Sequence, residues 1–552
     1  MRSCSVDQLG SGEMAIVLCI MIVLGGTLVV ANDPYQYEDW TASYIDASPL
    51  GVMQKVIAIN DQFPGPQLET TTNYNLVIRV HNELDEPLLI TWDGIQQRKN
   101  AWQDGVAGTN CPIQPGRSWT YNFKMKDQIG SYYYYPSLLF QKAAGGFGSI
   151  RVNPRRNIPC PFAPPAADFV VLIGDWYKTD HKTMRSVLDE GRLLGSPDGV
   201  LINGRGPLES SFTVEQGKTY RLRISNVGLT QTLNFRIQGH RLLLVETEGS
   251  YVAQTYYSTL DVHVGQSYSV LVTMDQSIPA DFHIVASSRF TWPTLYGLAV
   301  LHYSTSHRGL VSRDLPPAPN DVQSSYEQAR SIRMNLTAGA ARPNPQGSYH
   351  YGQIKVNKTY VFANSALKVK GKQRFMVNGV SSLRPSTPLK LADYLKIDGV
   401  FHVGSIPDHP IDWATPSVAS SVVAGDFRAF VEIVFQNPEN ALQSWHINGY
   451  AFFVVGMGPG RWSRESQRGY NLVDAVARTT TQVYGNAWTT VLVELDNPGL
   501  WNIRSQELQR QWLGQELYLR VVNPAVNDVK MQEEPPPHNL LLCGRALIHD
   551  AG

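Results

Sequence analysis

Residues Thr219 to Asn226, TYRLRISN, alternate apolar and polar side chains and end on an asparagine. Tyr220, Leu222 and Ile224 fall on one side of an extended chain and Arg221, Arg223 and Ser225 on the other, so the spacing predicts a half-buried strand. Two other segments share this build: NLVIRVHN ends at Asn82 and RAFVEIVFQN at Asn437. A pair favouring a tight hairpin turn precedes each of the three: Asn60-Asp61, Asn203-Gly204 and Asn378-Gly379. Another extended run follows each at a distance: GSYYYY from Gly130, ADFHIV from Ala280 and GLWNIR from Gly499. One strand programme run three times predicts an all-β chain of three related β-sandwich domains in tandem.

The 552 residues suit that count, and the expected domains are 32–156, 157–320 and 321–552, the last including a linker and a C-terminal tail. Proline-rich PCPFAPPAAD (Pro159 to Asp168) and LPPAPND (Leu315 to Asp321) suit connections, because proline cannot serve a central strand. Basic and acidic residues balance at 47 each, so no basic excess draws the chain to nucleic acid or anionic lipid.

Met14 to Ala31 is an unbroken apolar or small run ending in small residues, which reads as a secretory signal, 1–31, cleaved after Ala31. An uncleaved membrane anchor is the competing reading of the same run. Cleavage leaves no membrane attachment and removes Cys4 and Cys19, so Cys111, Cys160 and Cys543 remain: one pair and one leftover. Asn335 and Asn357 head glycosylation sequons, in agreement with secretion.

The strand programme, together with TWDGI (Thr91 to Ile95), ADFVVLIGDWY (Ala167 to Tyr177), DNPGLWNIRS (Asp496 to Ser505) and QRQWLGQELYLRV (Gln509 to Val521), resembles the plant multicopper oxidase family. Within it the chain is most similar to the ascorbate-oxidase homologues of the skewed-growth, monocopper-oxidase-like branch, pollen-expressed members included. The resemblance spans essentially the whole mature chain. It implies three cupredoxin-like Greek-key domains and an apoplastic or cell-wall location. It also implies a disulfide from Cys111 to Cys543, with Cys160 unpaired.

Active members hold a trinuclear copper cluster with eight histidines from four His-x-His pairs, and an electron-entry copper with one Cys and two His. Several nitrogen and sulfur donors must converge at about 2 Å to hold copper and set its potential. None of the thirteen histidines here belongs to a His-x-His pair. By the resemblance, the four pair positions are Thr91 and Asp93, Tyr135 and Ser137, His446 and Asn448, and Arg504 and Gln506. Ser505 takes the thiolate position, Gln443 and Arg510 the two imidazole positions, and Gln515 the axial one. One imidazole in eight remains, and a serine hydroxyl gives no copper–thiolate bond.

These identities set the expectations for the site. No catalytic residue is assigned, and cofactor occupancy is none or at most one copper, at a vestigial site on His446 with Thr91 and water. Otherwise His446 is an interior histidine bonded among Asn448, Tyr135 and Ser137. Asp93 and Arg504 predict an ion pair where metal would stand, unless both point into solvent. Tyr132 to Tyr135 predict core filling on alternate faces rather than sugar stacking or a radical relay. The expected function is a non-catalytic binding or structural role toward an extracellular-matrix partner in polarised cell growth. The alternatives are a residual one-copper oxidoreductase and a wall-polysaccharide-binding module.

Overall fold

A two-residue backbone geometry recurs in each third of the chain. Asn60, Asn203 and Asn378 all have positive φ (50°, 50° and 48°), as do the residues after them, which is the left-handed pair a tight hairpin turn requires. Each asparagine also clamps the first strand of its own domain. Asn60 accepts from the Thr41 amide at 2.7 Å and donates to the Asp39 carbonyl. Asn203 does the same with Leu172 and Val170, and Asn378 with Ala363 and Val361. The strand-ending asparagines repeat a second pattern. Asn82, Asn226 and Asn437 each accept the amide two residues on and donate to a carbonyl a few residues ahead and to another far along the chain, at Ile113, Val262 and Tyr484.

The computed structural model describes residues 33–337, 355–411 and 415–549. The expected signal, with Cys4 and Cys19, lies outside the described residues. The described residues from Tyr35 onward form one unit built on six sheets, two per domain. In the first sheet of each domain the marker strand runs parallel to the opening strand and antiparallel to a later one. Asn75–Asn82 thus lies between Tyr35–Ala47 and Ser118–Lys124. Thr219–Asn226 lies between Asp168–Trp176 and Ser267–Thr273. Phe430–Asn437 lies between Lys358–Val369 and Ala487–Glu494. Gly130–Pro136, Asp281–Ser288 and Gly499–Ser505 belong to the opposing sheets. This is the cupredoxin-like Greek-key sandwich, three times over.

The expectation of half-burial fails for Thr219–Asn226, whose polar face is buried as well. Arg221 and Arg223 are accommodated because both pair with Asp168, and Arg223 also donates to Ser131 of the first domain at 2.7 Å. That face is a domain contact, and there the Gly130 and Gly249 backbones approach so closely that a Cβ on Gly130 would lie 2.5 Å from the Gly249 Cα.

Two connections fasten the domains. Past the second proline-rich segment, helix Val322–Ser331 begins at Asp321, which accepts from the Ser324 amide. Its Gln328 bonds Thr259 and Asp261 of the second domain, while Tyr326 and Ser325 reach Met457 and Tyr484 of the third. The C-terminal tail returns across the first domain. There the Trp102 and Trp119 indoles donate to the Glu534 and Asn539 carbonyls, and Cys111 is bonded to Cys543. Cys160 is unpaired and exposed, with its sulfur 3.3 Å from the Tyr251 hydroxyl. Among the described residues, no helix is long and apolar enough to cross a membrane.

Candidate functional site

Strand alternation aims the side chains. In Ile90–Asp93, Trp92 turns into the first-domain core against Trp40, Tyr121 and Phe123, so Thr91 and Asp93 turn the other way. The partner strand Gly130–Pro136 pairs Tyr135 with Thr91 and Tyr133 with Asp93. Tyr132 and Tyr134 fill the core, while Tyr133 and Tyr135 stack at 5.6 Å on the opposite face. In the third domain, His446 of strand Gln443–Ile447 lies opposite Arg504 and Thr480 in adjacent strands. The two faces meet between the first and third domains.

Arg504 sits at the centre, 1% exposed. It donates to Asp93 at 3.0 Å, Tyr135 at 2.9 Å, Asn448 at 2.6 Å and Asn502 at 3.2 Å. Gln506 donates to the same Asp93 oxygen at 2.8 Å. The expected Asp93–Arg504 pair is therefore formed and buried, and the solvent-facing alternative is excluded. Thr91 and Ser137 are brought to the site but bond outward, to the carbonyls of Asp104 and Gly105.

The expected bonding of His446 needs correction. Its Nδ1 is 2.8 Å from the Thr480 hydroxyl and 3.6 Å from Asp93, and its Nε2 has no hydrogen-bond partner. Arg504 holds Asn448 and Tyr135, and Ser137 is turned to Gly105, so of the three expected partners only Asn448 acts on the ring, where it favours the charged form. Burial pushes the His446 pKa down to about 4, against the pull of the Asp93 carboxylate.

Two ionisable residues here carry no pattern in the sequence. Asp104 accepts from the Asn448 amide at 2.8 Å, and burial pushes its pKa up to about 6 despite Asn448 and Arg504. The Lys142 ammonium lies over the Tyr135 ring, 4.4 Å from its centre, with its pKa pushed down to about 8 by burial. Asp104 caps the short 3-10 turn Ala101–Gln103, and Lys142 lies within the turn Gln141–Ala144. Only a lone charge among apolar neighbours could have drawn attention to them.

The four electron-entry positions also converge, as a separate network at one end of the third-domain core. Gln515 donates to Gln443 at 2.6 Å, and Arg510 donates to Gln515 at 3.1 Å. Arg510 is in turn held by Glu439 at 2.8 Å and Glu507 at 3.0 Å, two acids the sequence pattern did not mark. The Ser505 hydroxyl accepts from the Glu507 amide. Burial raises the Glu507 pKa to about 7, with Arg510 opposing.

These donor sets do not suit copper. One imidazole nitrogen is engaged by Thr480, no thiolate is present, and a guanidinium projects where ligands would converge. A dication beside Arg504 would be repelled by the guanidinium, and the nearest carboxylate, Asp93, is already engaged by Arg504 and Gln506. Among the described residues, no three His, Cys, Asp or Glu side chains cluster as a metal site.

Three cupredoxin-like sandwiches, with a cluster of salt bridges and amides between the first and third, define a multicopper-oxidase scaffold. The sequence pattern of the multicopper oxidase family matches residues 41–157, 167–306 and 386–526. A monocopper oxidase-like protein of Arabidopsis thaliana is 50% identical over 96% of this chain and 92% of its own length. An L-ascorbate oxidase homolog of Brassica napus is 48% identical over 97% of both. Among solved structures, the multicopper oxidase Fet3p superposes with a TM-score of 0.76 at 19% identity, over 92% of this chain and 93% of its own. The chain belongs to the multicopper oxidase family, and its relatives include monocopper oxidase-like proteins and ascorbate oxidase homologues.

Proposed function

We propose that this protein is a secreted, glycosylated cell-wall or apoplastic component that uses the oxidase scaffold for binding or structure in polarised growth, without copper-based catalysis. The observation that carries this reading is the Arg504 guanidinium bonded at once to Asp93, Tyr135 and Asn448, three positions where the family resemblance puts copper ligands. A cation and its hydrogen bonds do there what metal–ligand bonds do in an oxidase: they tie the first domain to the third. A binding role is supported by a cavity of about 410 Å³ between the second and third domains, bordered by Arg289, Asn440 and Arg510. Both sequon asparagines lie at least partly at the surface, in keeping with glycosylation.

The purified secreted protein, given ascorbate or a phenol in air, should consume no oxygen above a protein-free control and show no absorption band near 600 nm. Copper-dependent oxygen uptake would overturn the reading. The free Nε2 of His446 favours one rival, a single-copper oxidoreductase. That rival requires oxygen uptake that disappears in His446→Ala.

A further inference from the structure

Trp292 is 91% exposed, in the loop that joins strands Asp281–Ser288 and Tyr296–Tyr303 of the second domain. Phe290, two residues earlier, is 40% exposed and lines the cavity of about 410 Å³ between the second and third domains. A single exposed ring needs no explanation, but two in one loop at the rim of a cavity mark a contact surface.

The loop is fastened at its neck. The Ser288 hydroxyl accepts from the Thr291 hydroxyl at 2.9 Å and from the Leu295 amide at 2.8 Å, and the Arg289 amide donates to the Thr232 carbonyl at 2.9 Å. Buried Arg289 is itself held by Asp261 at 3.1 Å and by the Pro319 and Asp321 carbonyls, and its guanidinium lies against the Phe290 ring, 4.5 Å from the centre. Phe290 has a φ of 60°, a left-handed backbone that a bulky side chain seldom adopts. The fixed loop thus props Phe290 on Arg289 and carries Trp292 into solvent.

Charges in the cavity wall are already balanced. Arg289 faces Asp261, and Arg510 faces Glu439 and Glu507. What the wall offers a ligand is neutral. The Gln231 amide donates to the Thr230 hydroxyl at 3.1 Å, and the Asn440 oxygen accepts from Asn486 at 3.2 Å. Among the described residues, the other end of each amide is engaged by no protein group, and Gln231 is half-buried and Asn440 exposed, so both can be reached. A pyranose divides in the same way: its C–H face packs on an aromatic ring, and its hydroxyls exchange hydrogen bonds with amides. The volume has room for about two sugar rings.

We propose that the Phe290–Trp292 loop and the adjoining cavity bind a neutral oligosaccharide, with sugar C–H faces on the two rings and sugar hydroxyls on Gln231 and Asn440. This rests on the binding role proposed above for the same cavity and names its ligand class.

Titration of the full-length protein with cellohexaose, xylohexaose and hexagalacturonate, read by calorimetry and tryptophan fluorescence, tests it. At least one neutral hexamer should bind, about tenfold or more tighter than hexagalacturonate, because the wall holds no unpaired cation for an acid. Trp292→Ala should weaken that binding about tenfold with an unchanged melting temperature, and Gln231→Leu should also weaken it. Tyr37→Ala, which removes a ring 72% exposed on the first domain, should bind as the natural protein does. Binding of neither neutral hexamer, equal binding of hexagalacturonate, full affinity in Trp292→Ala, or an equal loss in Tyr37→Ala would overturn the proposal. Copper content and oxygen uptake do not enter these outcomes, so the non-catalytic reading and the glycan site fail separately.

Discussion

Arg504 and Asp93, 411 residues apart in the chain, meet at 3.0 Å across the boundary between the first and third domains, and both are buried. Breaking such a pair from one side strands a buried charge, which costs about 3–5 kcal/mol. Arg504→Met should therefore lower the calorimetric melting temperature sharply, and adding Asp93→Asn should recover part of the loss. A drop no larger than that of a surface substitution would show that the pair does not hold the domains.

The turn asparagines give a second test. Asn203→Gly keeps the left-handed backbone but loses bonds to Leu172 and Val170, whereas Asn203→Ala loses both bonds and conformation. The alanine variant should be the less stable of the two by about 1 kcal/mol, as read from denaturant unfolding of the second-domain transition.

Asp104 and His446 oppose each other in acid. The Asp104 pKa is raised to about 6, so its contribution to stability is full below its unfolded value and is lost as pH rises through 6. The His446 pKa is lowered to about 4, so its contribution is present above 6.5 and is lost as pH falls through 4. Asp104→Asn removes the first and leaves the second. Melting temperatures measured from pH 6.5 to 4 should then fall more steeply in the variant than in the natural protein; parallel curves would contradict the assignment.

The tail strap is the fourth test. Cys111→Ser opens a link spanning 432 residues, and losing a native disulfide costs about 2–5 kcal/mol. Limited proteolysis should then remove the segment after Asn523, exposing Trp102 and Trp119, with a corresponding change in tryptophan fluorescence. An uncut tail would mean that its hydrogen bonds to the first domain suffice alone.

Much of this was legible in residue identities. Asn60, Asn203 and Asn378 announce their turns because few residues tolerate positive φ, and Asn82, Asn226 and Asn437 mark strand ends by equivalent bonds. The absence of any His-x-His pair followed from residue identities, and the Asp93–Arg504 pair from the family resemblance that puts both at one site. Asp104 and Lys142 did not, because loop residues reach the site only through packing between domains. The polar face of Thr219–Asn226 was misread for the same reason: period-two alternation cannot distinguish solvent from a neighbouring domain that supplies Ser131. Tyr135 and Ser137 were the wrong partners for His446 because Arg504 claims the Tyr135 hydroxyl more strongly than a neutral ring can and Ser137 turns to Gly105.

The most direct measurement is copper bound per chain after dialysis against excess Cu(II) and removal of loose metal, compared between the natural protein and Arg504→Met. The account predicts well under one copper per chain in the natural protein. One or more tightly held coppers per chain, lost on replacing His446, would contradict it.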